Sequence, residues 1–261
     1  MNHDVPVTSQ IADFCIEAQR GPLDEAVTHR AVNAFIDTIG VAVAGAHEPV
    51  VTALQTSLRL IDGSGGATTL STGEKVGAHS AAIANATAGH AMDFDDHLSD
   101  VNGHPSVVLV PPILALGEEL NLPGDQLLRA YVIGHQVMCA VSAALPVRAH
   151  WTAGWHATET VGVLGVAAAA GTLLQLTTAE LRNALGVAAS MAAGSRQNCG
   201  FSVKPVHAGM AAGNGILAAR LAARESTPIP ANSKRPSATS RSSGWTPISA
   251  PSRRFWPSAG P

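Results

Sequence analysis

Residues 91–106 (AMDFDDHLSDVNGHPS) bring together Asp93, Asp95, Asp96, Asp100, His97 and His104, with His90 just upstream. Only 13% of the 261 residues are charged, so a cluster this dense calls for a reason. The plain alternative is a solvated acidic loop. Histidine and aspartate held together, however, can move protons near neutral pH, and the stretch is read as an acid/base site. His90, Asp93, His97 and His104 also form a rival donor set for a metal ion. The reading adopted here is a site without metal or cofactor.

Three further stretches carry candidate chemistry. Trp151–Thr160 (WTAGWHATET) places His156 just before a helix, where the local dipole is expected to lower its pKa. Asn198–Gly209 (NCGFSVKPVHAG) holds Lys204 ahead of Pro205. A residue before proline is pushed toward extended backbone, which would aim the ammonium into a cavity. His207 follows and either supports Lys204 or caps the helix. Ser195-Arg196-Gln197 is a polar break after an apolar helix; it either binds a carboxylate or simply ends that helix.

The elements that must position these residues read as helices. Ile11, Phe14, Cys15 and Ala18 fall at helical spacing, with Thr8 or Ser9 as N-cap. Leu23–Val43 and Pro49–Ile61 follow, then a short β-prone run at Ala67–Leu70 and a loop at Thr72–Gly77. Ala78–Ala91 is almost entirely small residues, which suits a buried helix. Helices are predicted at Pro105–Leu120, Asp125–Leu145, Thr158–Leu174, Thr177–Gly194 and Pro205–Arg224. Thr177 and Glu180 have capping-box spacing, and Pro205 suits a first turn. The fold class is therefore all-α, over residues 8–225.

Residues 226–261 differ in kind. They contain no Asp or Glu and hold seven of the 16 prolines. A disordered basic tail is one reading; translation out of frame beyond Glu225 is the other. Net charge is −3, and nothing in the balance suggests nucleic acid or an anionic membrane as partner. The polar N-terminus has no signal-peptide pattern. Val161–Leu174 is too short to span a bilayer, and Val107–Leu116 is interrupted by Pro111 and Pro112. Cys15, Cys139 and Cys199 are far apart, which argues against a zinc ribbon and fits a reducing, cytoplasmic setting.

Taken in order, DFDD at Asp93–Asp96, GHPS at Gly103–Ser106, GWHATETVGVLGVAAAAG at Gly154–Gly171, ELRNALGVAAS at Glu180–Ser190 and KPVHAGMAAGNG at Lys204–Gly215 resemble the MmgE/PrpD family. That family includes 2-methylcitrate dehydratase, cis-aconitate decarboxylase and iminodisuccinate epimerase. The resemblance implies a stacked helical domain, a homodimer, and metal-independent acid/base chemistry on small polycarboxylates. It places Asp93, His104, His156 and Lys204 in the catalytic pocket, with Asp96, His97, Gln197 and His207 as substrate-binding candidates.

Family members carry a second, lid domain beyond the point where this chain turns Ser/Pro/Arg-rich. The resemblance thus implies a partial domain with slow or absent turnover, and exposed apolar faces on Ala78–Ala91 and Thr158–Leu174. Two functional readings follow: a dehydratase-like lyase, with decarboxylase or epimerase as variants, or a catalytically inactive dimerising or binding remnant.

Overall fold

The computed structural model describes residues 6–59 and 64–224; the Ser/Pro/Arg-rich tail lies outside them. Helix α1 (Val7–Glu17) buries Ile11, Ala12 and Cys15. Its cap is Pro6, not Thr8 or Ser9, which lie within the first turn. Proline's fixed φ already sets the entry, and the Pro6 carbonyl accepts from the Ser9 and Gln10 amides. Helix α2 (Glu25–Ala44) starts at Asp24, whose carboxylate accepts from the Ala26 and Val27 amides at 2.8 and 3.3 Å.

Helix α3 (Pro49–Arg59) leads to a small antiparallel hairpin, β1 (Ala67–Thr68) and β2 (Lys75–Val76). Lys75 and Val76 thus leave the expected loop. Glu118 holds this hairpin, accepting from the Thr68 amide and pairing with Lys75 at 3.3 Å. Then come α4 (Ala78–His90), α5 (Pro105–Leu120) and α6 (Gly124–Ala144). Helix α5 runs on through Pro111 and Pro112, both buried in the core.

The short helices α7 (Val147–Thr152) and α8 (Ala157–Thr160) precede α9 (Gly162–Leu173). The expected single helix over Thr158–Leu174 is therefore interrupted at Val161. Helix α10 (Thr178–Ser190) opens on the full Thr177/Glu180 capping box. It stops well short of Gly194. Helix α11 (Lys204–Ala222) closes the described chain.

The mostly helical architecture agrees with the all-α expectation. Helix α11 packs on α4 and α9, α6 on α9, and α5 on both α4 and α9. Helices α4 and α9 are buried nearly all round because alanine and glycine dominate them, while α11 keeps an outer stripe of Met210, Leu217 and Leu221 exposed. A helix without a polar face belongs in an interior, and small side chains let axes approach closely.

The apolar faces expected to be open on α4 and α9 are in fact covered by neighbouring helices. Exposed apolar side chains sit elsewhere: Ile36 and Val43 on α2, and Phe94 and Phe201 beside the candidate site. Among the described residues one helix, α6, is long and apolar enough to cross a membrane, and half of its apolar stretch is buried within the fold.

The α4–α11 contact has no spare room. A methyl group on Gly209 would meet Thr87 Oγ1 and the Ile83 carbonyl oxygen, whereas Gly40 on α2 faces open space. Gly209→Ala is expected to destabilise the fold by ~1–3 kcal/mol through overpacking. Gly40→Ala should be neutral or stabilising by up to ~1 kcal/mol. Urea unfolding of both variants beside the parent checks this contrast.

Candidate active site

Helix α4 ends at His90, and the chain turns sharply, with Asp93 in the left-handed region at φ 57°. Aspartate tolerates this conformation better than most residues. The turn carries Asp95 back beneath the helix end. Its carboxylate accepts from His90 Nδ1 at 2.8 Å and lies 3.1 Å from His104 Nδ1. Both the Asp95 and His90 side chains are essentially inaccessible to water. Burial alone would raise the Asp95 pKa, but the approach of His104 and the bond from His90 outweigh it and hold the group ionised. Burial is also the main cause that lowers His90, against the pull of Asp95, so that ring is neutral in neutral solution.

The second wall comes from the far end of the sequence. Lys204 Nζ donates to Asp93 Oδ1 at 2.5 Å, joining residues 111 positions apart. His104 Nε2 lies 3.8 Å from the same Asp93 oxygen. Partial burial of Asp93 opposes its charge. The Lys204 bond and charge, with His104 and His90, prevail and lower its pKa.

His156 is the residue before α8 and is buried. Its Nδ1 shares a 3.0 Å hydrogen bond with His207 Nδ1 on α11. Its ring stacks at 6.1 Å on that of His90, which in turn meets His104 edge-on at 4.5 Å. The His156 pKa falls to about 3. Desolvation is the main cause, followed by the surrounding His90, His207, Lys204 and His104. The helix dipole expected from sequence is not what drives it, since α8 has only four residues. His207 is likewise lowered, chiefly by burial.

Asp93, His104, His156 and Lys204 are therefore brought to one place, with His207 beside His156. Lys204 does not adopt the extended backbone expected before proline. It is the first residue of α11, its amide donating to the Phe201 carbonyl at 2.9 Å. The ion pair with Asp93 and the helix that follows override the local preference.

The remaining expected residues stand apart. Asp96 turns to the start of α5, accepting from the Ser106 amide at 3.0 Å and from Ser106 Oγ at 2.5 Å. Ser106 Oγ also bonds Tyr131 at 2.8 Å, so Asp96 anchors a buried network. His97 is exposed, its ring 5.3 Å from His104 on the outer side. Gln197 is exposed and, among the described residues, bonds none of the cluster.

Sequence reasoning counted Asp95 in the acidic cluster without giving it a role, and passed over Glu159. Asp95 is one of four aspartates in a turn, where no periodicity tells an inward position from an outward one. The five-residue offset from His90 was the available clue. Glu159 is a buried carboxyl on α8 packed against Gly194, whose φ is +103°. A methyl group on Gly194 would lie 2.7 Å from Glu159 Oε2. Desolvation raises the Glu159 pKa to about 7.

His90, Asp93, Asp95 and His104 offer ligand atoms that all lie within 4.8 Å of one another. Asp95 thus replaces His97 in the rival metal set, and the cation facing Asp93 is the Lys204 ammonium. A cavity of about 430 Å³ lies away from the cluster, lined by Gln55, Arg59, Thr69, Glu74, Lys75 and Ser80 among others. Its two cations are paired, Arg59 with Glu74 and Lys75 with Glu118.

A family model of the MmgE/PrpD N-terminal domain matches residues 9–237. Human cis-aconitate decarboxylase is 37% identical over 146 residues, which is 54% of this chain and 30% of that protein. Cis-aconitate decarboxylase of Aspergillus terreus is 28% identical over 222 residues, covering 83% of this chain and 45% of that protein. The mouse cis-aconitate decarboxylase is 36% identical over 146 residues, 54% of this chain and 30% of that enzyme. The chain spans less than half the length of these relatives.

Glu159 makes stability depend on pH in a direction that can be tested. Its folded pKa of about 7 exceeds the ordinary 4.5, so the folded state binds the extra proton between those values. Stability is lost as pH rises through that window and stays low above it. Glu159→Gln is therefore expected to raise stability at pH 8, by ~3 kcal/mol at most, and to leave it unchanged near pH 4. Urea unfolding of parent and variant across that range measures the difference; a pH-independent gap would count against the burial argument.

Proposed function

This chain belongs to the MmgE/PrpD family, and we propose that the cluster around Asp93 and Lys204 carries out acid/base chemistry on small di- or tricarboxylates. The observation that supports this most is the convergence of an ammonium, two ionised carboxylates and neutral imidazoles from segments 111 residues apart. Lys204 has three donors, so it can hold Asp93 and a substrate carboxylate together. In that position it stabilises negative charge developing on the carbon beside that carboxylate. His104, between Asp93 and Asp95, serves as proton donor. His156, kept neutral and oriented by His207, serves as acceptor or as a neutral hydrogen-bond donor.

The names of the relatives favour decarboxylation of cis-aconitate over the dehydration that sequence motifs put first. In a decarboxylation the C–C bond to one carboxylate breaks and CO2 leaves. The electron pair spreads toward the remaining carboxylate held by Lys204, and a proton from His104 returns to carbon. In the dehydration of 2-methylcitrate, His156 or Asp93 would take the proton beside a carboxylate, and the hydroxyl would leave as water with the proton of His104. Both reactions use the same groups, which is why their geometry alone supports the class more strongly than the individual reaction.

Cis-aconitate and 2-methylcitrate offered in parallel, with products followed by carbon-13 NMR and binding by histidine C2–H shifts, test the reading. Saturable binding is expected, weakened about tenfold or more in Lys204→Ala through loss of a charge-assisted contact. Any turnover should fall by about a hundredfold or more in His104→Ala. Neither binding nor turnover with either compound would sink the proposal.

A further inference from the structure

We propose that His90, Asp93, Asp95 and His104 form a binding site for a divalent transition-metal ion of the zinc type, and that this ion competes with the Lys204 ammonium for Asp93. The inference goes beyond the acid/base reading and does not need it, since it stands on the donor atoms and their spacing. One nitrogen or carboxylate oxygen from each of the four residues lies within 4.8 Å of all the others. The donors come from the end of α4, from the turn that follows it, and from the residue before α5.

The core of the set is the buried Asp95 carboxylate between two imidazole nitrogens. His90 Nδ1 stands 2.8 Å and His104 Nδ1 3.1 Å from Asp95 Oδ2. Two donors on a tetrahedral zinc ion, each ~2.0 Å from it, lie about 3.3 Å apart, so both separations are close to those an ion requires. The His104 approach is not a hydrogen bond. Among the described residues His104 Nδ1 is buried without a hydrogen-bond partner. A nitrogen and a carboxylate oxygen held this close without hydrogen-bond geometry are placed as two ligands of one small cation are. His90 can bind through Nδ1 and keep its proton on Nε2, which has no hydrogen-bond partner among the described residues.

Two imidazoles and two carboxylates suit zinc and its neighbours, whereas Mg2+ and Ca2+ prefer oxygen alone. The two carboxylates match the double charge of the ion. The His90 and Asp95 side chains are closed to water, but that of Asp93 is 60% exposed, so an ion reaches the set from the Asp93 side. Lys204 guards that edge, its Nζ 2.5 Å from Asp93 Oδ1. An ammonium has donors and no lone pair, so it cannot join the ion's ligands, and the two positive charges repel. The metal and the ammonium therefore exclude one another at Asp93.

The test uses the whole chain, without substrate, and metal ions as probes. Co2+ reports coordination through its visible d–d absorption, Zn2+ affinity follows from displacement of Co2+, and Mg2+ is the control. One ion per chain with a nitrogen/oxygen-type spectrum is expected, with no response to Mg2+. Asp93→Asn and His104→Ala should each weaken Zn2+ about tenfold or more. Lys204→Met keeps the stem and removes the charge, and should tighten Zn2+ about tenfold. His97→Ala should change it by less than about twofold, because His97 lies outside the donor set. Thermal melts check folding, and the exposed Asp93→Asn decides the ligand set should His104→Ala not fold. Absence of saturable Co2+ binding, a thiolate-to-Co2+ charge-transfer band, or a loss in His97→Ala equal to that in His104→Ala would overturn the site. Unchanged Zn2+ affinity in Lys204→Met would overturn the competition. Either failure leaves the polycarboxylate reading standing, because that reading is tested by carboxylate binding and turnover.

Discussion

An ionised carboxylate with almost no access to water is the costliest feature of this structure, and the site is arranged around it. Asp95 sits beneath the end of α4 with a side chain that is 1% exposed. A buried charge is tolerated only where it is paired and hydrogen-bonded. His90 Nδ1 supplies the hydrogen bond at 2.8 Å, and His104 Nδ1 comes within 3.1 Å. Meeting that requirement places two imidazoles whose other nitrogens face away from Asp95. Among the described residues His90 Nε2 is buried without a hydrogen-bond partner, and His104 Nε2 lies 3.8 Å from an Asp93 oxygen. Removing Asp95 would release both rings together, so its role is to position them rather than to touch a substrate.

That arrangement needs a frame that does not yield. Helices α4, α9 and α11 meet through alanine and glycine, so their backbones approach closely and leave little freedom for sliding. Helix α4 ends in His90 while α11 begins at Lys204 and carries His207; the contact between the two helices thus sets the distance from Asp93 to its cation. On the other flank, Asp96, Ser106 and Tyr131 form a buried chain of hydrogen bonds that ties the acidic turn to α5 and α6. Tyr131 stays neutral there because burial pushes its pKa to about 12. Asp96 thereby contributes to the site through the backbone it fixes.

Much of this was legible in the sequence, for reasons that differ by residue. The helices were readable where a period or a cap exists: Thr177 with Glu180 marks the start of α10, and the small-residue run of α4 announces burial. The clustering of Asp93, His104, His156 and Lys204 was readable from residue type combined with a family motif. What could not be read was set by tertiary contact. The backbone of Lys204 follows α11 and its ion pair rather than the proline after it. His156 is neutral through desolvation, reinforced by the Lys204 ammonium and the imidazoles packed around it, which spacing cannot reveal. Asp95 and Asp96 are neighbours of one chemical type, yet one is turned under α4 and the other toward α5. Within a turn, sequence carries no phase by which to separate them.

The charge balance of the cluster has a consequence for what it can accept. Desolvation and mutual repulsion hold His90, His156 and His207 neutral, while Asp93 and Asp95 are held ionised. Against two negative charges stands one positive, the Lys204 ammonium. A polycarboxylate entering this cluster would add negative charge to a site that already carries an excess. Low dielectric sharpens that conflict, because like charges a few ångströms apart repel far more strongly out of water. The Lys204 ammonium, with donors to spare beyond Asp93, is then the contact on which an incoming carboxylate would depend.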